Sequence, residues 1–349
     1  MDRLPGLDPH EVDDVVVGAA VGSYEQGYNL GRAVALLAGL PDTVPGTTVN
    51  RMCASSLQAI RMAHHAIKLG EAQVMVAGGV ESVSRTASAS FKPEDANPRF
   101  IDELRDDFVN HYYMPMGLTA ENVADRYGVS REDMDEFAKK SQDRAVAAQL
   151  QGSFGREIVP YPLASGTLLA TDDGPRPGTT LEALSKLKPV FRPDGRVTAG
   201  NACPLNDGAA AVVVMSGVRA RELGIKPLAR IVASAVSGVA PEMMGIGPID
   251  AVRKVLARAG MNIRDIGVVE LNEAFAAQVL PVCHELEIDI EDQLNPHGGA
   301  IALGHPYGMT GARMMTALIN DLFELDRRFG LETMCVGGGQ GMAMIVERL

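Results

Sequence analysis

The side chains best suited to chemistry are two cysteines, a histidine and an asparagine, each in a small-residue setting. Cys53 follows the strand-like run Thr47-Thr48-Val49-Asn50 and opens a helix. Amides at a helix start, together with the macrodipole, favour a thiolate there. Ala54, Ser55 and Ser56 leave room for a substrate, although a buried core cysteine would look the same. His305 stands in Gly304-His305-Pro306, a glycine-rich turn before a helix. An imidazole held by backbone can serve as base to a thiol, or it can simply fill the turn. Cys335 ends an apolar strand and abuts Gly337-Gly338-Gly339-Gln340-Gly341. Glycines at a strand end let a ligand touch backbone amides, as an oxyanion hole requires, and a core cysteine before a turn is the alternative. Asn272, in Asn272-Glu273-Ala274-Phe275, joins a strand to a helix and either caps that helix or holds a water or a carbonyl. The basic stretch Arg176, Lys186, Lys188, Arg192 and Arg196 either meets phosphates or forms a solvated face. His297 reads as structural, and His64 and His65, mid-helix, as structural or solvated.

The elements that must position these residues alternate between strand and helix. Val15-Val16-Val17-Gly18 reads as a short buried strand, Asn29 to Gly39 as a helix closed by glycine, and Thr47 to Asn50 as a second strand. A helix with apolar positions at Leu57, Ile60, Ala63 and Ile67 ends at Gly70, and a buried strand runs from Val74 to Gly79. That spacing is a βαβ unit and calls for a partly parallel sheet. Residues from about 84 to 198 differ. They carry most of the Pro and charge clusters and one clear helix, with Ser130 as N-cap, Asp133 three residues on and Gly152 as its stop. This stretch reads as an insertion or lid outside the sheet. Strand pattern resumes at Ala209. A second βαβ run begins near Pro227, with a strand at Val268–Asn272, a helix from Glu273, a helix from Ala312 to Leu325 and a final strand at Thr333–Val336. The halves echo one another, which suggests a duplicated α/β fold, residues 1–222 and 227–349, with the site at their junction.

A chain of 349 residues, 46% hydrophobic, is long enough for two cored domains. Its formal net charge of −12 disfavours general binding to nucleic acid or an anionic membrane, though not a local basic pocket. No apolar run reaches the roughly 18 residues of a membrane span, and the start, Met1-Asp2-Arg3-Leu4-Pro5, does not read as a signal peptide. The four cysteines show no CxxC spacing, so reduced thiols and a cytoplasmic setting are expected rather than a disulfide framework or zinc site. There is no GxGxxG after a strand and no Walker A pattern.

Together, several segments resemble the thiolase family. They are Val49 to Ala59 around Cys53, Gly78-Gly79-Val80-Glu81-Ser82, Met116 to Ala124, Thr198-Ala199-Gly200-Asn201-Ala202, Asn272 to Ala276, Gly298 to Pro306, and Cys335 to Gly341. They occur in family order over nearly the whole chain. The resemblance implies a nucleophile at Cys53, a base at His305 and a second acid/base at Cys335. It places Asn272 with His305 in one oxyanion hole, and the amides of Cys53 and Gly337 in another. Met116, Arg176, Ser234 and Phe275 are the candidate substrate contacts. The implied reaction is ping-pong: a 3-ketoacyl-CoA is attacked by Cys53, acetyl-CoA leaves, and a second CoA takes the acyl group. No metal or redox cofactor is implied. The expected partners are acyl-CoA and CoA, and the expected assembly is a homodimer or homotetramer.

Departures from the family pattern sharpen the reading. Pro115 stands where biosynthetic acetoacetyl-CoA thiolases usually have His, which points to the degradative branch of fatty-acid β-oxidation. Ala233 falls where a serine often contacts CoA, with Ser234 next to it. The family's usual opening strand and helix precede the segment that begins here, and that strand is expected inside the first sheet. Met1 is therefore expected not to be the start of the fully active protein. A decarboxylating condensing enzyme would carry a second histidine in place of Cys335. An acetoacetyl-CoA-forming enzyme and an inactive thiolase-like partner are the remaining alternatives.

Overall fold

The computed structural model describes residues 3–86 and 93–349; Met1 and Asp2, and residues 87–92 of the insertion, lie outside that range. The first half opens with β1 (Asp14–Gly18), whose Val15, Val16 and Val17 are all buried, as a strand covered on both faces requires. Helix α1 (Leu30–Leu37) follows, with the Asn29 side chain accepting from the Arg32 amide. Then come β2 (Gly46–Val49), α2 (Ser55–Leu69), β3 (Val74–Ser82) and the short α3 (Val83–Thr86). Gly70 ends α2 at φ 81°, a left-handed position that glycine takes at little cost. The insertion supplies α4 (Met116–Tyr127), α5 (Arg131–Gln151), a two-residue ladder of β4 (Tyr161–Pro162) with β5 (Leu168–Leu169), and α6 (Leu181–Ser185). The half closes with β6 (Asp207–Met215) and α7 (Gly217–Glu222).

The second half runs β7 (Ala229–Gly238), α8 (Gly247–Ala259), β8 (Val268–Leu271), α9 (Ala276–Leu286), α10 (Ala300–Leu303), α11 (Thr310–Glu324), β9 (Phe329–Val336) and β10 (Gln340–Arg348). Its sheet has the order β7-β10-β9-β8, and the first has the order β2-β1-β3-β6. In each, two parallel strands (β1 with β3, β8 with β9) are followed by an antiparallel one (β6, β10). A parallel bridge from Val269 to Leu294 stands where β2 pairs with β1. The duplication read from the sequence is thus visible strand by strand.

Several expectations change. The strand ending at Val336 is not the last, because β10 turns back antiparallel beside it after the glycines. The helix after Asn272 begins only at Ala276, and its N-cap is Phe275, so Asn272 does not cap it. The strand that opens the second half, β7, lies at a sheet edge beside β10. The matching place in the first half is the outer edge of β6, not the sheet interior. The insertion is also more than a lid. Among the described residues none of it enters the two main sheets, yet Ala120, Ala124, Met134, Phe137 and Ala138 share one core with Val252, Val279 and Leu271 of the second half. Its long helix is started by the expected capping box, Ser130 with Asp133.

Helices α2 and α11 lie between the sheets. Leu57, Ile60, Met314 and Leu318 pack there with Val16 of β1 and Met334 and Met344 of β9 and β10. Their starts touch backbone to backbone. A Cβ on Gly79 would sit 2.1 Å from the Gly308 carbonyl oxygen, and one on Gly311 would sit 2.6 Å from the Leu57 nitrogen. Both neighbours are backbone and cannot swing away. Gly79→Ala should therefore destabilise the fold by about 1–3 kcal/mol, the usual cost of overpacking. Urea unfolding checks this, and an unchanged midpoint would show that the seam yields.

Candidate active site

Cys53 is set just ahead of α2 by a strained turn. Met52 has φ 45°, an uncommon conformation for a non-glycine residue, and its amide donates to Asn50 Oδ1 at 2.8 Å. The Ser55 hydroxyl donates to the Met52 carbonyl and accepts from the Arg51 amide, which holds the turn closed. The thiol is not held as a thiolate. Burial raises its pKa to about 11, and the hydrogen bonds from the Gly337 and Cys53 amides only partly offset that. The expectation of a helix-stabilised thiolate is corrected on this point: desolvation outweighs the amides.

His305 reaches the same region from the turn before α11 and is 2% exposed. Burial, and then the nearby Arg313, pushes its pKa down to about 3, so the imidazole is neutral at ordinary pH. Its Nδ1 lies 2.7 Å from Thr310 Oγ1. Asn272 Nδ2 lies 3.3 Å from Nε2 and 3.5 Å from Nδ1. Asn272 is itself fixed by its amide, which donates to the Thr333 carbonyl, while its Oδ1 is buried without a partner among the described residues. Two carboxylates brace this side. Glu273 accepts from Ser141, Asn295 and the Ile301 amide, and Glu81 accepts from the Ala20 and Gly308 amides.

Cys335 is fully buried at the end of β9, with Sγ beside the side-chain amide of Gln278, whose nitrogen donates to the Asn272 carbonyl at 3.1 Å. Burial, then Cys53 and Cys203, pushes its thiol well above the ordinary range. Gly337 abuts the Cys53 turn: a Cβ there would lie 3.3 Å from Met52 Cγ and 3.9 Å from Met116 Sδ. Met116 therefore borders the site. Phe275 lies nearby, bridged to Ala202 and edge-on to Phe191 at 6.1 Å, and the Phe191 ring in turn covers Gly117. Cys53, His305, Asn272, Cys335, Gly337, Met116 and Phe275 thus gather where the halves meet.

Other expected contacts do not join them. Ser234 is buried in β7, where its carbonyl accepts from Arg258, and among the described residues no hydrogen bond ties it to the cysteines or to His305. The basic stretch is not one free cluster: Arg192 and Arg196 pair with Asp125, and Lys186 pairs with Glu182. Arg176 and Lys188 are exposed. His297 is structural, paired with Asp321 at 2.6 Å. Sequence reasoning missed Thr310, Gln278 and Cys203. The first two fall at no spacing that announces a contact. Cys203 is a third thiol here, pushed up to about 12 by burial and then by Cys53. Among the described residues no group of His, Cys, Asp or Glu forms a metal site.

Comparison with known proteins gives a consistent picture. A family model described as thiolase, N-terminal domain, matches residues 1–218, and one described as thiolase, C-terminal domain, matches residues 225–348. The chain is similar to a β-ketoadipyl-CoA thiolase of Acinetobacter baylyi, at 46% identity over 100% of this chain and 91% of that protein. It is similar to a 3-oxoadipyl-CoA/3-oxo-5,6-dehydrosuberyl-CoA thiolase of Escherichia coli, at 47% identity over 99% and 90%. A 3-ketoacyl-CoA thiolase of Pseudoalteromonas translucida is 46% identical over 100% and 90%. Among solved structures, the Bacillus anthracis acetyl-CoA acetyltransferase matches with a TM-score of 0.88 and 41% identity, over 99% of this chain and 89% of that one.

The depressed histidine makes a pH prediction. Its folded pKa of about 3 lies below the ordinary 6.5. As pH falls through that window the unfolded chain takes up the proton first, so folded stability drops with it. Comparing His305→Gln with the parent protein isolates this proton from the carboxylates that also titrate there. The variant should lose less stability than the parent between pH 6.5 and pH 3. Parallel stability curves would mean that His305 is not held neutral.

Proposed function

The chain belongs to the thiolase family of acyltransferases and acts on 3-ketoacyl-CoA, and we propose that it cleaves that substrate through an acyl group carried on Cys53. The observation that supports this reading is the meeting, at one buried seam, of a thiol, a neutral imidazole, a second thiol and a strand-end glycine turn. His305 accepts the Cys53 proton as sulfur attacks the 3-keto carbon. The developing oxyanion is held by fixed donors in a dry site, where such donors act most strongly. The bond between the second and third carbons breaks, and the enolate of acetyl-CoA takes a proton from Cys335. The thiol of a second CoA then gives its proton to the Cys335 thiolate and attacks the acyl-Cys53 carbonyl; the Cys53 sulfur leaves and takes back the proton held on His305, which restores both thiols and the neutral ring. Two thiols are needed because one carries the acyl group while the other handles the α-carbon proton.

The names of the relatives guide the choice of substrate. Several are β-ketoadipyl-CoA or 3-oxoadipyl-CoA thiolases, so we place a 3-oxo dicarboxylic acyl-CoA ahead of the linear chains of β-oxidation. Likeness to an acetyl-CoA acetyltransferase favours a second reading, condensation of two acetyl units. A thiol-release assay on 3-oxoadipyl-CoA, acetoacetyl-CoA and a longer 3-ketoacyl-CoA separates them. Preference for acetoacetyl-CoA by tenfold or more in kcat/KM would reverse our order.

The roles of the two thiols are tested together. Incubation with acetyl-CoA should place the label on Cys53 alone, and Cys53→Ala should take none. Cys335→Ala should still acylate yet lose roughly 10²–10⁴-fold in condensation and α-proton exchange, the usual worth of a positioned acid/base. Label on another cysteine, or condensation at the parent rate, would refute the assignment. Exposed Arg176 and Lys188 are the candidates for the CoA phosphates, so removing both charges should raise KM for CoA several-fold and weaken its salt dependence. An unchanged KM would reject that part.

A further inference from the structure

We propose that Thr310 is a positioning residue that sets the tautomer of His305, keeping the proton on Nδ1 and the lone pair of Nε2 free for proton transfer. This rests on the reading of His305 as the base of the acyl transfer.

A neutral imidazole has one N–H and one bare nitrogen, and only the bare one can accept a proton. Which nitrogen is bare depends on what the other one meets. His305 meets the Thr310 hydroxyl, with Nδ1 2.7 Å from Oγ1. That hydroxyl has a single proton, and Oγ1 also lies 3.0 Å from the Pro306 carbonyl oxygen. A carbonyl can only accept, so the hydroxyl proton goes to Pro306. Oγ1 is then an acceptor toward the ring, and Nδ1 carries the hydrogen. Asn272 Nδ2 stands almost equally far from Nε2 and Nδ1, at 3.3 and 3.5 Å, so the choice between the nitrogens rests on Thr310.

The arrangement is rigid. Thr310 is the first residue of α11 and is 1% exposed. Its backbone amide also donates to the Pro306 carbonyl, at 3.1 Å, so one acceptor fixes both its amide and its hydroxyl. The contact with Pro306 spans four residues, the local pattern by which a threonine hydroxyl bonds back along a helix. His305 immediately precedes that closed turn, so the register between ring and hydroxyl is set by the short run from His305 to Thr310.

The direct test is the ¹⁵N spectrum of the full chain with labelled histidine, assigned by comparison with His305→Gln. The parent should show His305 as the Nδ1–H form near neutral pH. Thr310→Val, which keeps the shape and removes the hydroxyl, should give a mixture of tautomers. It should lower the rate of Cys53 acylation by about tenfold, in line with the loss of one neutral hydrogen bond, with KM changed less than twofold. Thr310→Ser should restore both the spectrum and the rate. An Nε2–H form in the parent, or Thr310→Val acylating at the parent rate, would overturn the proposal. Should Thr310→Val fail to fold, the parent spectrum and the Thr310→Ser rate still decide it. The spectrum needs no substrate, so it stands apart from the functional reading. A parent protein that is never acylated would refute that reading and leave the tautomer result intact.

Discussion

The close approach of two helix starts, backbone against backbone, is the constraint on which the rest of this molecule depends. Helix α2 begins behind Cys53 and α11 begins behind His305, and the two belong to different halves. The Ser56 amide donates to the Gly308 carbonyl, the Ala312 amide donates to the Ser56 hydroxyl, and the Glu81 carboxylate accepts from the Gly308 amide. Side chains larger than hydrogen have no room at Gly79 or Gly311. A longer separation would leave the thiol and the imidazole on their own halves, each with an ordinary core around it.

That same closeness excludes water, and exclusion sets the chemistry at rest. Cys53 is pushed up as a thiol and His305 is pushed down as a neutral ring, both chiefly by burial. Neither carries charge until a substrate arrives to receive it. A site held this way avoids an unpaired buried ion, which would cost several kcal/mol. In so dry a site the place of each proton is set by hydrogen-bond partners, here Thr310 and Asn272 beside the ring.

The insertion shows a different economy. Its helices α4 and α5 complete the core of the second half, and Met116 at the start of α4 borders the Gly337 turn. Its charged residues largely neutralise one another, as with Arg192 and Arg196 on Asp125. A charge-rich stretch in sequence therefore became a structural wall of the site, and of its basic run Arg176 and Lys188 are exposed with no ion pair among the described residues.

Much of this was legible in the chain alone. Runs such as Val15–Val17 and Val74–Ala77 fix strands by their β-branched and apolar content, and Ser130 with Asp133, or Gly70 after Leu69, fix helix ends by hydrogen bonds only a few residues long. Motifs around Cys53, Asn272, His305 and Cys335 singled out candidate groups by type, setting and family resemblance, and those residues lie together in the fold. Tertiary structure decided the rest. The sequence gives no sign that burial outweighs helix amides at Cys53, that Asn272 faces a histidine instead of capping α9, or that Ser234 stays in the edge strand β7. Desolvation, side-chain direction and sheet order are properties of what packs around a residue. Here those neighbours come from segments up to some hundreds of residues away, as when Gly337 meets Met52.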